Sequence, residues 1–200
     1  MMRVKICGLT NPEDAMAAAE FGADAVGFVL YRDSPRYIKP GDVREIIAGL
    51  PPFVTTVGVF ADAGEEEITS IVDRCGLDII QLQGDETPEL CRRLGPRVYK
   101  AIRVRDEGSL VRMASFSVSA FVLDTFRKDQ LGGTGHTFDW NLALKAKDYG
   151  SVILAGGLNP DNIRKAVVTV RPAGVDVSSG VEATLGKKDP KKIKAFIETA

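Results

Sequence analysis

Two stretches near the C-terminus, ILAGGLNP at residues 153–160 and GVDVSSGVE at residues 174–182, indicate how the whole chain folds. In each stretch a short aliphatic run ends at small residues, and helical sequence follows. Two such strand ends in succession are typical of the phosphate site of a (β/α)8 barrel, which is built from the loops after strands 7 and 8. The alternative is that both are only tight turns between a strand and a helix.

The small residues of these stretches have the chemistry that a phosphate site needs. Gly156 and Gly157 have no Cβ, so an anion can approach their backbone N–H groups closely. Ser178 and Ser179 add hydroxyl and N–H groups at the start of a predicted short helix, where the helix dipole favours negative charge. We therefore predict that these four residues bind phosphate.

The rest of the chain repeats a strand, a turn and a helix. Strands are predicted at residues 4–7, 24–30, 53–60, 78–83, 98–104, 119–124, 151–155 and 174–177. Helices are predicted at residues 12–20, 40–48, 65–75, 87–94, 107–115, 141–147, 162–170 and 190–199. The run at 53–60 is continuously apolar, which is typical of a strand buried on both faces.

Eight units of about 25 residues predict parallel strands that are joined by right-handed crossovers. We expect an α/β fold, a single-domain (β/α)8 TIM barrel over residues 1–200 with a closed eight-stranded parallel sheet. An open doubly wound sheet is the alternative. The regular spacing and the polar residues at nearly every strand end favour the closed barrel.

Composition excludes several classes of function. The chain has 200 residues, 44% of them hydrophobic, enough for one globular core. Its net charge of −1 provides no field to hold a nucleic acid or a membrane surface. No apolar run approaches the ~20 residues of a membrane span, and the N-terminus lacks the apolar region of a signal peptide. The single histidine, His136, argues against a histidine-based zinc site.

The chain has three cysteines, an odd number without CxxC spacing, which indicates a reducing compartment. We therefore expect a cytoplasmic protein. Cys7 is the most informative of the three, because it ends the first predicted strand. Side chains alternate along a strand, so Lys5 and Cys7 share a face, and the ammonium group is expected to lower the pKa of the thiol. A small buried residue is the alternative interpretation of Cys7.

Two further strands also end in polar residues, Gln83 and Asp124. Asp124 ends an apolar strand, so burial is expected to raise its pKa and let it hold a proton near neutrality, which suits a general acid. Its alternative role is to cap the loop that follows.

Arg36 and Asp176 are the last two site residues that the sequence predicts without reference to a known family. Arg36 lies in a polar loop at the mouth of the predicted barrel, where a guanidinium group can hold a carboxylate through two parallel hydrogen bonds; a solvated arginine is the alternative. Asp176 is expected either to hold a substrate hydroxyl or to pair with Lys5.

Several motifs resemble those of one family, and they follow one another in order along nearly the whole chain. They are VKICGLT at 4–10, AVGF at 25–28, SPR at 34–36, VGVF at 57–60, LD at 123–124, GGTG at 132–135, FDW at 138–140, AGGL at 155–158 and GVDVSSGVE at 174–182. With these motifs the chain resembles the phosphoribosylanthranilate isomerases of tryptophan biosynthesis. The cysteine motif and the last motif together are specific.

The resemblance implies an Amadori rearrangement of N-(5′-phosphoribosyl)anthranilate to 1-(2-carboxyphenylamino)-1-deoxyribulose 5-phosphate. It implies Asp124 as the acid that opens the ribose ring and Cys7 as the base that removes the C2′ proton. Arg36 would hold the anthranilate carboxylate, and Gln83 and Asp176 would contact substrate. The implied phosphate site consists of Gly133, Thr134, Gly135, Gly156, Gly157, Ser178 and Ser179. The resemblance implies a small-molecule substrate and neither a cofactor nor a metal.

The chain departs from the family pattern at two positions. Gln83 replaces a histidine that usually follows Gln-Leu, and His136 replaces a common lysine in the loop after strand six. Two other functions stay open: a related isomerase of histidine biosynthesis, which would use two aspartates and no cysteine, and a non-catalytic phosphate-ligand sensor. The sequence is equally compatible with a monomer and a homodimer.

Overall fold

The computed structural model describes residues 2–125 and 139–200. The strands of the sheet are β1 (Val4–Cys7), β2 (Ala25–Val29), β3 (Thr55–Phe60), β4 (Ile79–Leu82), β5 (Val98–Val104), β6 (Ala120–Thr125), β7 (Val152–Leu154) and β8 (Gly174–Val177). The helices are α1 (Pro12–Glu20), α2 (Pro40–Gly49), α3 (Glu65–Cys75), α4 (Pro88–Arg93), α5 (Gly108–Val111), α6 (Trp140–Ala146), α7 (Ile163–Val170) and α8 (Pro190–Thr199). A hairpin of β9 (Glu182–Thr184) and β10 (Lys187–Lys188) precedes α8.

Strands β1 to β8 form a closed barrel in chain order, in which β1 pairs with both β2 and β8. Every pairing in the barrel is parallel. The predicted (β/α)8 barrel is therefore confirmed, and the open sheet is excluded. Because the strands are parallel, their carboxyl ends meet at one end of the barrel, where barrel enzymes have their active sites.

Capping residues, proline and glycine in the sequence set where the helices begin and end. The side chain of Asn11 accepts a hydrogen bond from the Asp14 backbone N–H, and Pro12 occupies the first turn of α1. Thr87 and Asp189 cap α4 and α8 in the same way. Gly76 ends α3 in the left-handed conformation at φ +72.

Two separate regions of the molecule are apolar. The larger lies between the strands and the helices and contains Phe28, Phe60 and Phe196. Inside the barrel are two small clusters, one of Cys7, Val29 and Val59 and one of Ala101, Val122 and Ala155. Polar side chains are also buried there, among them those of Lys5, Gln81 and Asp176. The barrel interior is therefore only partly apolar.

Three predictions about local structure are wrong. Phe53 was predicted in a buried strand, but it is 96% exposed, because the prolines at 51 and 52 hold the chain in a turn until β3 begins at Thr55. The fifth helix is split into α5 and a 3₁₀ turn at Arg112–Ser115. The short helix predicted after β8 is only a 3₁₀ turn (Ser179–Val181), and the β9–β10 hairpin that follows it was not predicted.

Candidate active site

The carboxyl ends of the barrel strands surround a pocket, and every predicted site residue in the described part of the chain lines it. They are Cys7, Arg36, Gln83, Asp124, Gly156, Gly157, Asp176, Ser178 and Ser179. The predicted phosphate ligands Gly133, Thr134 and Gly135, together with His136, lie outside the described residues. The closed barrel thus brings side chains from both ends of the sequence into one site.

Cys7 is buried on β1, beside the Lys5 side chain. Both point at Gly27 of β2: a Cβ on that glycine would lie 2.8 Å from the Cys7 Sγ and 2.9 Å from the Lys5 Cε. Alternation along β1 therefore puts the two residues on one face, as predicted. Gly27 leaves the space that both side chains occupy.

The expected lowering of the Cys7 pKa is wrong. Burial raises the pKa of the thiol above its ordinary value, although the charge and hydrogen bond of Lys5 act in the opposite direction. The effect of burial on the Cys7 pKa exceeds that of Lys5 because Asp176 pairs with Lys5. The Asp176 carboxylate also disfavours a second negative charge nearby. In the free protein Cys7 is a thiol at neutral pH.

Asp124 has the raised pKa that its apolar strand predicts. Burial raises the pKa of this carboxyl to about 6, against hydrogen bonds that favour the charged form. Those hydrogen bonds come from the Thr125 backbone N–H, 2.8 Å from Oδ1, and from the Gln83 Nε2, 3.1 Å from Oδ2. The carboxyl is therefore able to gain and lose a proton near neutral pH.

Asp176 pairs with Lys5, one of its two expected roles. Lys5 Nζ lies 2.9 Å from Asp176 Oδ2 and 3.0 Å from the Gln81 Oε1. Burial alone lowers the pKa of Lys5, but Asp176 and Cys7 together raise it above its ordinary value. Asp176 Oδ1 is buried and has no hydrogen-bond partner among the described residues. That oxygen can accept a hydrogen bond from a ligand, so Asp176 can pair with Lys5 and still hold a substrate hydroxyl.

Arg36 is buried, and the alternative of a solvated arginine is wrong. Its Nε and Nη2 donate to the two carboxylate oxygens of Glu182 at 2.7 and 2.8 Å. The side chains are 10% and 8% exposed. The hydrogen bonds and charge of Glu182 raise the pKa of Arg36. Described residues take up two of the five N–H donors of the guanidinium, which leaves three for a ligand.

The two halves of the predicted phosphate site are in contact. A Cβ on Gly180 would lie 1.8 Å from the carbonyl oxygen of Leu158, so only glycine allows the loops after β7 and β8 to meet. Gly156 and Gly157 have φ values of +78 and +69. A Cβ on Gly156 would also lie 3.0 Å from Asp124 Oδ1. The glycines bring this backbone close to the carboxyl group.

The β9–β10 hairpin supports the site through Lys188. Its buried Nζ donates to the Ser178 carbonyl oxygen at 3.1 Å, to the Ser178 hydroxyl at 3.4 Å and to Glu182 at 3.1 Å. Burial lowers the pKa of Lys188, and Glu182 opposes that shift. The hairpin therefore holds both Ser178 and the carboxylate partner of Arg36.

Sequence reasoning missed three residues of the site: Gln81, Glu182 and Lys188. Gln81 was open to prediction, since it lies two residues before Gln83 and so shares its face of β4. Glu182 ends the GVDVSSGVE motif, but the bend that turns it back to Arg36 has no clear sequence signal. Lys188 belongs to the unpredicted hairpin.

Among the described residues, no helix is long and apolar enough to cross a membrane. The closed barrel and the titratable side chains gathered at its strand ends define a (β/α)8-barrel enzyme of the acid–base type.

Comparisons with known proteins identify the family. Residues 4–199 match the family model described as N-(5′-phosphoribosyl)anthranilate (PRA) isomerase. The chain is 52% identical over 200 residues to the N-(5′-phosphoribosyl)anthranilate isomerase of Geotalea uraniireducens (strain Rf4), covering 100% of this chain and 98% of that protein. The chain belongs to the N-(5′-phosphoribosyl)anthranilate isomerase family.

Solved structures agree with this assignment. The phosphoribosyl anthranilate isomerase of Thermotoga maritima superposes with a TM-score of 0.92 at 47% identity, covering 100% of this chain and 98% of that one. A second structure, with a TM-score of 0.89, 46% identity and the same coverage, holds phosphoribosyl anthranilate isomerase in complex with reduced 1-(o-carboxyphenylamino)-1-deoxyribulose 5-phosphate.

Proposed function

We propose that this isomerase converts N-(5′-phosphoribosyl)anthranilate to 1-(2-carboxyphenylamino)-1-deoxyribulose 5-phosphate, with Asp124 as the acid and Cys7 as the base. The observation that carries this assignment is that both side chains are buried in one pocket, beside the glycine and serine loops after β7 and β8. A family relative binds a reduced form of this product.

Asp124 begins the reaction in this scheme. Its carboxyl proton passes to the ring oxygen of the ribose, the bond from that oxygen to C1′ breaks, and the anthranilate nitrogen lone pair forms the C1′=N bond of a Schiff base. A pKa of about 6 suits a group that must donate and regain a proton near neutrality. The hydrogen bonds from Thr125 and Gln83 stabilise the carboxylate that remains.

Cys7 acts next as the thiolate. It removes the C2′ proton, which the positively charged Schiff base makes acidic, and the electron pair of the C2′–H bond forms an enolamine. Protonation at C1′ and loss of the C2′ hydroxyl proton then give the ketone. No cofactor or metal takes part in these steps.

The directions of the two pKa shifts imply that the productive pair of protonation states is a minority form. With Asp124 near 6 and the pKa of Cys7 raised, the free protein near neutrality holds mainly a carboxylate and a thiol. The reactive form, a carboxylic acid with a thiolate, contains the same number of protons. One proton moved between the groups therefore produces it without a change in net charge.

Arg36 is proposed to hold the substrate carboxylate through the guanidinium hydrogens that Glu182 does not use. Gly156, Gly157, Ser178 and Ser179 are proposed to bind the phosphate. Gly133, Thr134 and Gly135 are proposed to complete that site, and Asp176 to contact the sugar through its Oδ1.

The test of this function is a fluorescence assay. Freshly generated phosphoribosylanthranilate is mixed with the purified protein, and the decay of anthranilate-type fluorescence is followed. We expect a protein-dependent decay that is faster than spontaneous hydrolysis, with the rearranged product identified by mass and chromatography. Absence of that product would refute the proposed function.

We also propose that residues 1–200 act as one catalytic domain and that the enzyme is a cytoplasmic homodimer. Cys7, Cys75 and Cys91 are all free thiols, as a reducing compartment allows. A solved structure that is 46% identical to this chain holds generated monomers of the dimeric phosphoribosylanthranilate isomerase from Thermotoga maritima.

The end of the barrel opposite the active site supports a dimer. Phe53 is 96% exposed there, at the edge of a cavity lined partly by Tyr99 and Ile153. An exposed aromatic side chain beside a cavity on the same face is self-complementary, as a two-fold interface requires. A second copy of this chain is therefore the proposed occupant of that face.

A further inference from the structure

A continuous row of hydrogen bonds crosses the barrel interior from β8 to β6. Asp176 accepts from Lys5 at 2.9 Å, and Lys5 also donates to the Gln81 Oε1 at 3.0 Å. Gln81 Nε2 donates to the Gln83 Oε1 at 3.1 Å, and Gln83 Nε2 donates to the Asp124 Oδ2 at 3.1 Å. All five side chains are buried.

The direction of this row is fixed by Lys5. An ammonium group only donates, so the Gln81 oxygen must face it. The Gln81 amide nitrogen then faces Gln83, whose oxygen must accept from it. The Gln83 nitrogen is therefore turned toward Asp124, and rotation of either amide by 180° would set donor against donor or acceptor against acceptor.

We propose that Gln83, oriented by Gln81 and Lys5, is a positioning residue that keeps an N–H donor on Asp124 while that carboxyl gives up its proton. Negative charge develops on Asp124 at this step, and a preoriented N–H group stabilises it without reorganisation. Because Gln83 never presents its oxygen, it does not accept the Asp124 proton, which stays available to the substrate. The role rests on the proposed function of Asp124.

This inference changes the role expected for Gln83. The resemblance implied a substrate contact at the position where relatives usually have histidine. Here the amide oxygen and nitrogen are both engaged within the protein, and the side chain is buried. Gln83 thus acts on the substrate through Asp124.

Charged or titratable side chains near Asp124 also act on it, among them Cys7, which lines the same pocket and shares a proton with it in the proposed reaction. Asp176 raises the pKa of Asp124, Lys5 lowers it, and the Tyr31 hydroxyl lies close enough to interact with the carboxylate. None of these side chains is replaced in the substitutions proposed below. Gln81→Glu adds a negative charge that by itself raises the Asp124 pKa, whereas Gln83→Met adds none, so the pKa change in Gln83→Met reports the amide row alone.

The variant that reverses the direction of the row is Gln81→Glu. A carboxylate at position 81 still accepts from Lys5 but has no proton for Gln83. The Gln83 amide then rotates, its nitrogen donates to the new carboxylate, and its oxygen faces Asp124. Gln81→Met is the matched control, because it has a similar volume and leaves Gln83 free to keep its orientation.

Two measurements distinguish a failure of this proposal from a failure of the proposed isomerase function. The first is the Asp124 pKa, measured by carboxyl ¹³C NMR titration, with the signal assigned by its loss in Asp124→Asn; it needs no substrate. We expect Gln81→Glu to raise this pKa by about two units and Gln83→Met by about one. The second is the acid limb of the kcat/KM pH profile, which Asp124 sets; we expect it to move to higher pH by about two units in Gln81→Glu and about one in Gln83→Met.

Two results would overturn the proposal. One is a Gln81→Glu protein that matches Gln81→Met in both the Asp124 pKa and the pH of the acid limb, since the row would then have no direction. The other is a Gln83→Met protein whose Asp124 pKa equals that of the unaltered protein. Shifted pKa values without any isomerase activity would keep the oriented amide row but reject the proposed function on which its catalytic role rests.

Discussion

Lys5 and Asp176 form a buried ion pair at the centre of the site, with Nζ and Oδ2 2.9 Å apart and side-chain exposures of 5% and 8%. The two residues are register partners on the adjacent strands β1 and β8, so closure of the barrel creates the pair. The pair holds Lys5 beside Cys7 and at the start of the amide row.

Asp176→Asn should therefore be strongly destabilising. It leaves the Lys5 ammonium buried without its counter-charge, and removal of one partner from a buried ion pair costs about 3–5 kcal/mol. The free energy of unfolding by urea measures the effect. The exposed pair of Lys194 and Glu198 provides the control, because Glu198→Gln should cost less than about 0.5 kcal/mol. Equal losses in both variants would show that the buried pair does not stabilise the barrel.

Arg36→Met should mainly raise KM. If three guanidinium hydrogens hold the substrate carboxylate, their loss removes binding from the ground state and the transition state alike, about 10–100-fold in KM. Glu182→Gln is the control, because it retains an acceptor for Arg36 while removing the charge. It should raise KM less than Arg36→Met does. An unchanged KM in Arg36→Met would mean that the carboxylate binds elsewhere.

The pH dependence of kcat/KM should be bell-shaped. The reactive form has one proton shared between Asp124 and Cys7, so activity should rise with pH through about 6, where Asp124 loses the second proton. It should fall at alkaline pH as the Cys7 thiol, whose pKa is raised, ionises. In Asp124→Asn the residual activity should no longer rise with pH through about 6. A rise caused by ionisation of the substrate phosphate would persist in this variant. Activity that falls as pH rises through 6 would contradict this scheme.

Phe53→Glu should convert a dimer into monomers. A charge at an exposed aromatic position would have to be buried against the partner copy, which is costly without a counter-ion. Sedimentation velocity measures the change, and kcat of the monomer should stay close to that of the unaltered protein, because the active site is at the other end of the barrel. Val168→Glu, at a 66% exposed position on α7, is the control and should remain dimeric. A monomeric unaltered protein would reject the proposed dimer.

The sequence predicted most of the fold because its signals were local. Glycine, proline and capping residues marked the strand and helix ends, and eight regular units left little choice but a closed barrel. Phe53 was misplaced because an apolar run alone does not tell where pairing begins. The hairpin after β8 was missed because two short strands depend on their position against α8 and Asp14, which accepts from the Lys188 backbone N–H.

The members of the site were easier to predict than their interactions. Alternation along strands placed Cys7 and Asp124 in the barrel interior, and burial of Asp124 followed from its apolar neighbours. The sign of the Cys7 pKa shift was not predictable, because it depends on whether desolvation exceeds the effect of Lys5. Glu182 was missed since its contact with Arg36 joins positions far apart in the chain, whereas Gln81 could have been predicted from its place two residues before Gln83.

The most direct test of the central claim, that Cys7 is the base, is the turnover of Cys7→Ser with phosphoribosylanthranilate. A serine hydroxyl has nearly the same shape but is far less acidic than a thiol, so kcat should fall at least about 10³-fold. KM should change little, since the base acts in the transition state. Turnover within a few-fold of the unaltered enzyme would contradict the account and remove Cys7 from the mechanism.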